Sequence, residues 1–190
     1  MELREQRFGI EIEMTGITRA GAAKVAATYF GTRSEYVGTY YQTYAAVDQE
    51  GRQWKFMSDG SIRAEKKVNG EKRAAGAVYR TEMVSPICRY EDIEKIQELI
   101  RELKKKGAIV NESCGIHVHI DASPFDAGKL RNLTNIMAAK EDLIYKALGV
   151  SVERQHRWCR PVEERFLEEL NRRRPTSMEA VEEIWYNGRS

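Results

Sequence analysis

Proline, cysteine and histidine are all scarce in this chain, and each shortage excludes something. Four prolines in 190 residues, beside 42% hydrophobic residues, argue against a disordered or low-complexity chain. The three cysteines, Cys88, Cys114 and Cys159, are odd in number, widely spaced and never arranged C-x-x-C. Neither a disulfide framework nor a structural zinc knuckle is supported, and Cys114, next to the histidine strand, reads as a small buried thiol ahead of a ligand or nucleophile. Charge of one sign is missing too. Lys and Arg number 31 against 29 Asp and Glu, a net charge of +2, which gives no reason to expect a nucleic-acid partner. No apolar run approaches the roughly 20 residues that cross a bilayer, and Met1-Glu2-Leu3-Arg4-Glu5 has no signal-peptide core. The expectation is a cytoplasmic protein with no membrane partner, a single domain over residues 1–190.

Scarcity makes the placement of histidine informative. Two of the three lie in Cys114-Gly115-Ile116-His117-Val118-His119-Ile120-Asp121, where Ile116, Val118 and Ile120 alternate with His117, His119 and Asp121. A strand sends successive side chains to opposite faces, so one face is apolar and the other carries two imidazoles and a carboxylate. Phe8-Gly9-Ile10-Glu11-Ile12-Glu13-Met14 repeats the design with Glu11 and Glu13 on the polar side. Like charges two apart on one strand face repel unless a cation or water lies over them. Glu82 sits on the face it shares with Arg80 and is a third candidate carboxylate, or else that arginine's salt-bridge partner. Two or three carboxylates with an imidazole suit magnesium or manganese better than structural zinc.

The rest of the chain reads as the frame for these strands. Thr18 caps an alanine-rich helix to about Tyr29 that Gly31 closes. Residues 35–47 and 52–57 read as antiparallel sheet around the turn Asp48-Gln49-Glu50-Gly51, followed by strands near 62–68 and 77–84 joined by a turn at Asn69-Gly70. Tyr90 to Lys106 is a helix by its three- and four-residue apolar spacing. Residues 108–110 and 115–121 read as paired strands. Ser123, as cap with Pro124 in the first turn, predicts a helix to Leu148 whose Leu130, Leu133, Ile136, Met137, Leu143, Ile144 and Ala147 face the core. Helices near 161–171 and 177–186 follow. Strands first and helices afterwards predict an α+β fold, an antiparallel sheet with helices packed on one face and an open polar face opposite.

Four motifs then carry a resemblance. Phe8 to Glu13, Trp54 with Asp59-Gly60-Ser61, Glu82-Met83-Val84-Ser85-Pro86, and Cys114 to His119 resemble, in order and spacing, the amidoligases of the carboxylate-amine ligase superfamily, which includes glutamine synthetase and glutamate-cysteine ligase. The resemblance continues weakly into Cys159-Arg160-Pro161. It implies a glutamine synthetase-like catalytic sheet and an enzyme that uses ATP and Mg2+ or Mn2+ to phosphorylate a small-molecule or peptide carboxylate, whose acyl phosphate an amine then displaces. It implies further that Glu11, Glu13, Glu82 and His117 hold metal, that His119 and Ser61 contact the nucleotide, and that Asp59 serves catalysis near the substrate. Arg160 matches a family position and joins Arg80 as a catalytic candidate; the other arginines between Glu153 and Arg174 read as a mixed charged helix surface.

Family members continue into further strands that this chain lacks after Ser190. An incomplete domain, or a partner or second copy completing the sheet, is therefore also expected. Two rival readings stay open: a ligase-like fragment that binds metal, nucleotide or a protein without catalysis, and a metal-dependent hydrolase using the same residues around an activated water.

Overall fold

A computed structural model describes residues 2–187; the end of the chain beyond Asn187 lies outside the described residues. The chain divides into two compact units, residues 1–121 and 122–190.

The first unit is built on a six-stranded antiparallel sheet. Its strands are β1 (Phe8–Met14), β2 (Ser34–Gly38), β3 (Thr43–Val47), β4 (Gln53–Met57), β7 (Thr81–Val84) and β8 (Ile116–Ile120), in the order β2-β3-β4-β7-β1-β8. The remaining two, β5 (Glu65–Val68) and β6 (Glu71–Ala74), form a separate hairpin. Helices α1 (Arg19–Phe30) and α2 (Asp92–Lys105) contribute to one core with the apolar sides of β1, β4 and β7. Ala22, Ala23, Ala26 and Ala27 line α1 where it meets the sheet, and Trp54, Phe56, Met83 and Leu99 are fully buried beneath the helices. Removing each of the larger side chains from water contributes roughly 1.5–3 kcal/mol. The caps are as the sequence predicts: Thr18 accepts from the Gly21 N–H at 3.1 Å, and Gly31 ends α1 in the left-handed region. Gly16 is required for another reason. At φ +81° a Cβ there would lie 2.4 Å from the Gly107 carbonyl oxygen.

The α+β architecture matches the expectation, but several elements differ from it. Residues 77–80 are not strand. Ala77–Tyr79 is a 3-10 turn, and the carbonyls of Ala77 and Arg80 accept from the Arg19 guanidinium at 2.9 and 3.0 Å, which removes them from any ladder. Strand β8 pairs with β1, not with residues 108–110, where only Ile109 bridges, to Thr15. Of the strand expected over 62–68 only β5 forms, outside the main sheet.

The second unit holds α3 (Ala127–Leu148), α4 (Val152–Arg157), α5 (Glu164–Arg173) and α6 (Met178–Asn187). Asp126, not Ser123, caps α3, accepting from the Lys129 N–H at 2.8 Å. Ala127, Phe166, Leu170, Val181 and Ile184 form a small core. The expected apolar stripe of α3 does not all face it: Leu133, Ile136, Met137 and Leu143 are exposed. Helices α5 and α6 bring only Phe166, Leu170, Val181 and Ile184 to this core, and of the expected stripe Leu130 packs against them. Among the described residues no helix is long and apolar enough to cross a membrane.

Candidate metal centre

Strand alternation and register together build one cluster on the sheet face opposite the helices. Glu11 pairs across β1–β8 with His117, while Glu13 pairs across β1–β7 with Glu82. Glu82 in turn lies opposite Met57 on β4, and Asp59 follows two residues later. The Asp59 Oδ1 accepts the Ser61 N–H at 2.6 Å, so the turn Asp59-Gly60-Ser61 fixes the carboxylate. Glu11, Glu82 and His117 bring one ligand-capable atom each within 4.8 Å of one another, and Glu13, Asp59 and Glu82 do the same. Glu82 belongs to both groups.

Each carboxylate is held differently. Glu13 is buried, its Oε2 accepting the Gly115 N–H at 2.6 Å, which leaves Oε1. Glu11 lies between the imidazoles, with Oε2 at 3.1 Å from His117 Nδ1 and Oε1 at 3.2 Å from His119 Nε2. A neutral His117 donating Nδ1–H to Glu11 carries its lone pair on Nε2, the tautomer a ligand role needs. Glu82 is 8% exposed. Burial first, then the like charges of Glu11, Asp59 and Glu13, push its carboxyl up to about 7. Among the described residues none of these four carboxylates forms a salt bridge with a lysine or arginine; Glu11 meets the two histidines.

A hard-oxygen donor set with one imidazole, crowded enough to raise a buried carboxyl, is the chemistry that Mg2+ or Mn2+ fits. The residues present suit a divalent cation.

The other sequence candidates fall at varying distance from this centre. His119 reaches it through Glu11, and Ser61 through its backbone N–H on Asp59. Arg80 precedes Glu82 by two residues and forms no salt bridge with it, contrary to the surface-pair alternative; its Nε is buried without an acceptor. Arg160 belongs to the second unit, where its Nε donates to the His156 carbonyl at 3.1 Å. Cys114 is half-buried, with Sγ 3.7 Å from Asn111 Oδ1.

A family model described as "Putative amidoligase enzyme" matches residues 4–190. The chain belongs to the amidoligase family. That places it among amide-forming ligase enzymes by family and joins both units in one match. No match to the chain was found among curated proteins or among solved structures. Within the amidoligase motifs, sequence reasoning kept Asp59 with the substrate, whereas the fold brings it beside Glu13 and Glu82. The register accounts for it: Asp59 lies two residues beyond Met57, which is directly opposite Glu82.

Proposed function

We propose that the protein is an ATP- and divalent cation-dependent carboxylate-amine ligase that forms an amide through an acyl phosphate. One observation carries the reading: Glu82 is buried beside Glu11, Glu13 and Asp59, and among the described residues none of the four forms a salt bridge with a lysine or arginine. When bound, Mg2+ or Mn2+ neutralises phosphate charge and aligns the transferred group, which is most of what phosphoryl transfer requires.

The chain's own residues divide the remaining work. Glu82, Glu13 and Asp59 hold one cation, and Glu11 with His117 shares Glu82 in holding cation on the β8 side. His119, more exposed than its neighbour, is the group that contacts nucleotide phosphate, with Ser61 on the opposite rim. Arg80 is the cation of the chain nearest in sequence to Glu82, and its unpartnered Nε suits it to oppose an anionic substrate or intermediate. Arg160 stays a catalytic candidate only through its match to a family position. The substrates are a small-molecule or peptide carboxylate and an amine.

The test is mass spectrometry of products after incubation with ATP, Mg2+ and a mixed pool of amino acids and short peptides. Phosphate release coupled to a new amide is expected, and Glu11→Gln or His117→Ala should reduce it by at least about a hundredfold. Unchanged turnover in both variants would remove the assignment. Calorimetric binding of Mg2+ and ATP without any phosphate release would instead make this a binding module, and zinc-dependent turnover without ATP would make it a hydrolase.

A further inference from the structure

The sheet unit contains one more unbalanced buried charge, and it is positive. Arg19, the first residue of α1, is 4% exposed. Its Nη1 donates to the carbonyls of Ala77 and Arg80, and its Nη2 to Gln42 Oε1 at 2.5 Å. All three acceptors are neutral, and Nε is buried with no acceptor. A guanidinium has five N–H donors and does not lose its charge in a protein, so two donors and the whole charge are unmatched. The titratable groups that act on it are the phenols of Tyr44 and Tyr36; burial holds Arg19 below the usual guanidinium range despite them. Its position adds to the imbalance. The N-terminal end of a helix carries partial positive charge, and the first turn of α1 has no acidic residue.

A buried cation placed against a helix dipole with no anion is costly unless something else brings the anion. The space for one is adjacent. Arg19 lines a cleft of about 430 Å³ with Thr18, Tyr36, Gln42, Tyr44 and Val78, within the roughly 300–1,000 Å³ range of small-molecule sites. Tyr44 packs against the core under the helices, so the cleft is on the other side of the sheet from Glu82 and is not part of the metal centre.

We propose that this cleft is a second ligand site that takes a monoanionic organic carboxylate, its charge paired with Arg19 and its apolar or aromatic body against Tyr36, Tyr44 and Val78. The remaining Nη2 hydrogen and the unopposed charge suit a carboxylate, whose hydrogen bond to a guanidinium is charge-assisted. One guanidinium balances one negative charge, and with only tyrosines beside it a dianionic phosphate would bury charge that nothing opposes. The proposal goes beyond the ligase reading and does not depend on it.

The test is a titration of the full chain, free of cation and nucleotide, with 4-fluorophenylacetate followed by fluorine NMR. Parallel titrations use the uncharged 2-(4-fluorophenyl)ethanol and 4-fluorophenyl phosphate. Saturable binding of the carboxylate is expected, about tenfold or more tighter than either comparison compound. Arg19→Lys keeps the charge but loses the fork and should weaken binding about tenfold. Val78→Trp changes a half-exposed position that makes none of the Arg19 bonds; it should plug the cleft and abolish binding while the circular dichroism spectrum stays the same. Glu82→Gln should leave the titration unaltered, which separates this site from the metal centre. Failure of the carboxylate to saturate, equal binding of the alcohol, tighter binding of the phosphate ester, or unchanged affinity in Val78→Trp would each overturn the proposal.

Discussion

Two groups of buried carboxylates in the sheet unit have opposite electrostatics. Beside the β3–β4 turn, Asp48 and Asp92 share Arg52 and Lys95. Arg52 reaches Asp92 through two nitrogens at 2.7 and 2.8 Å and Asp48 through Nε at 3.0 Å, and Lys95 Nζ lies 3.3 Å from Asp92. The Arg52 hydrogen bonds hold the Asp92 carboxyl well below the usual range. Burial pushes Asp48 upward, but the Trp54 indole N–H, the backbone N–H groups of Arg52 and Glu50 and the Arg52 charge outweigh it. At the candidate metal centre burial and the like charges of Glu11, Asp59 and Glu13 outweigh the nearby His117, and Glu82 moves the other way. Among the described residues the first group is paired with arginine and lysine and the second forms no such pair. That difference, rather than carboxylate count or burial, is what separates a structural clamp from a site fit for an ion.

The largest effect should come from breaking the complete cluster. Arg52→Ala leaves two buried carboxylates with Lys95 alone, 3.3 Å from Asp92 and 3.9 Å from Asp48, and is expected to lower the unfolding free energy by about 3 kcal/mol in urea titration. A loss below about 1 kcal/mol would mean that the clamp is no clamp, since that is the scale of an exposed pair. Glu82→Gln should have the opposite sign. A carboxyl whose folded pKa is raised gives its full stability below the unfolded value and loses it as pH rises through the folded one. The window here runs from 4.5 to about 7. Without cation, the variant should match the parent near pH 4.5 and exceed it by roughly 3 kcal/mol at pH 8. Asp92, shifted downward, loses its contribution only as pH falls through its own lower value, so the two clusters impose opposite pH slopes in separate windows. Equal pH profiles for parent and Glu82→Gln would erase the contrast.

Cation should convert the second cluster toward the first. At pH 8 and about a hundred times its dissociation constant, Mn2+ is expected to stabilise the parent by about 2–3 kcal/mol in thermal melts. Glu82→Gln should show none of it, because Glu82 is common to both ligand groups. Equal stabilisation of parent and variant would assign the ion to another place on the molecule.

Most of the candidate metal centre was legible because it depends on strand alternation, which needs no tertiary knowledge. Ile10 and Ile12 against Glu11 and Glu13, and the isoleucines of β8 against His117 and His119, declare their faces in the sequence alone. Register is different. That Glu13 meets Glu82, and Asp59 joins them, depends on which strands are neighbours, and a linear pattern does not encode that. The 3-10 turn at Ala77–Tyr79 escaped for the same reason: a residue 58 positions away takes the Ala77 carbonyl. Arg19 left a local signal, a cation in the first turn of a helix with no acidic residue to offset it. Such a departure from helix preference marks a position that tertiary structure has claimed. The stripe of α3 was misread because periodicity says which residues share a face, not how many apolar side chains the neighbouring helices bring to cover it.

The smallest effect is expected from the arginine-rich segment, and it tests the comparison from the outside. Arg172 pairs with Glu169 on α5 through Nε at 3.0 Å and Nη2 at 2.6 Å, a geometry as good as that of Arg52 with Asp92. The Arg172 side chain, however, is 70% exposed, against 21% for Arg52. Water solvates both members after the pair is broken, so no stranded charge remains, and holding two long side chains in one geometry costs rotamer entropy that offsets the attraction. Arg172→Ala should therefore leave the urea midpoint within experimental scatter. A shift comparable to that of Arg52→Ala would mean that pair geometry, not desolvation, governs charge in this fold, and the contrast between the clamp and the metal centre would lose its physical basis.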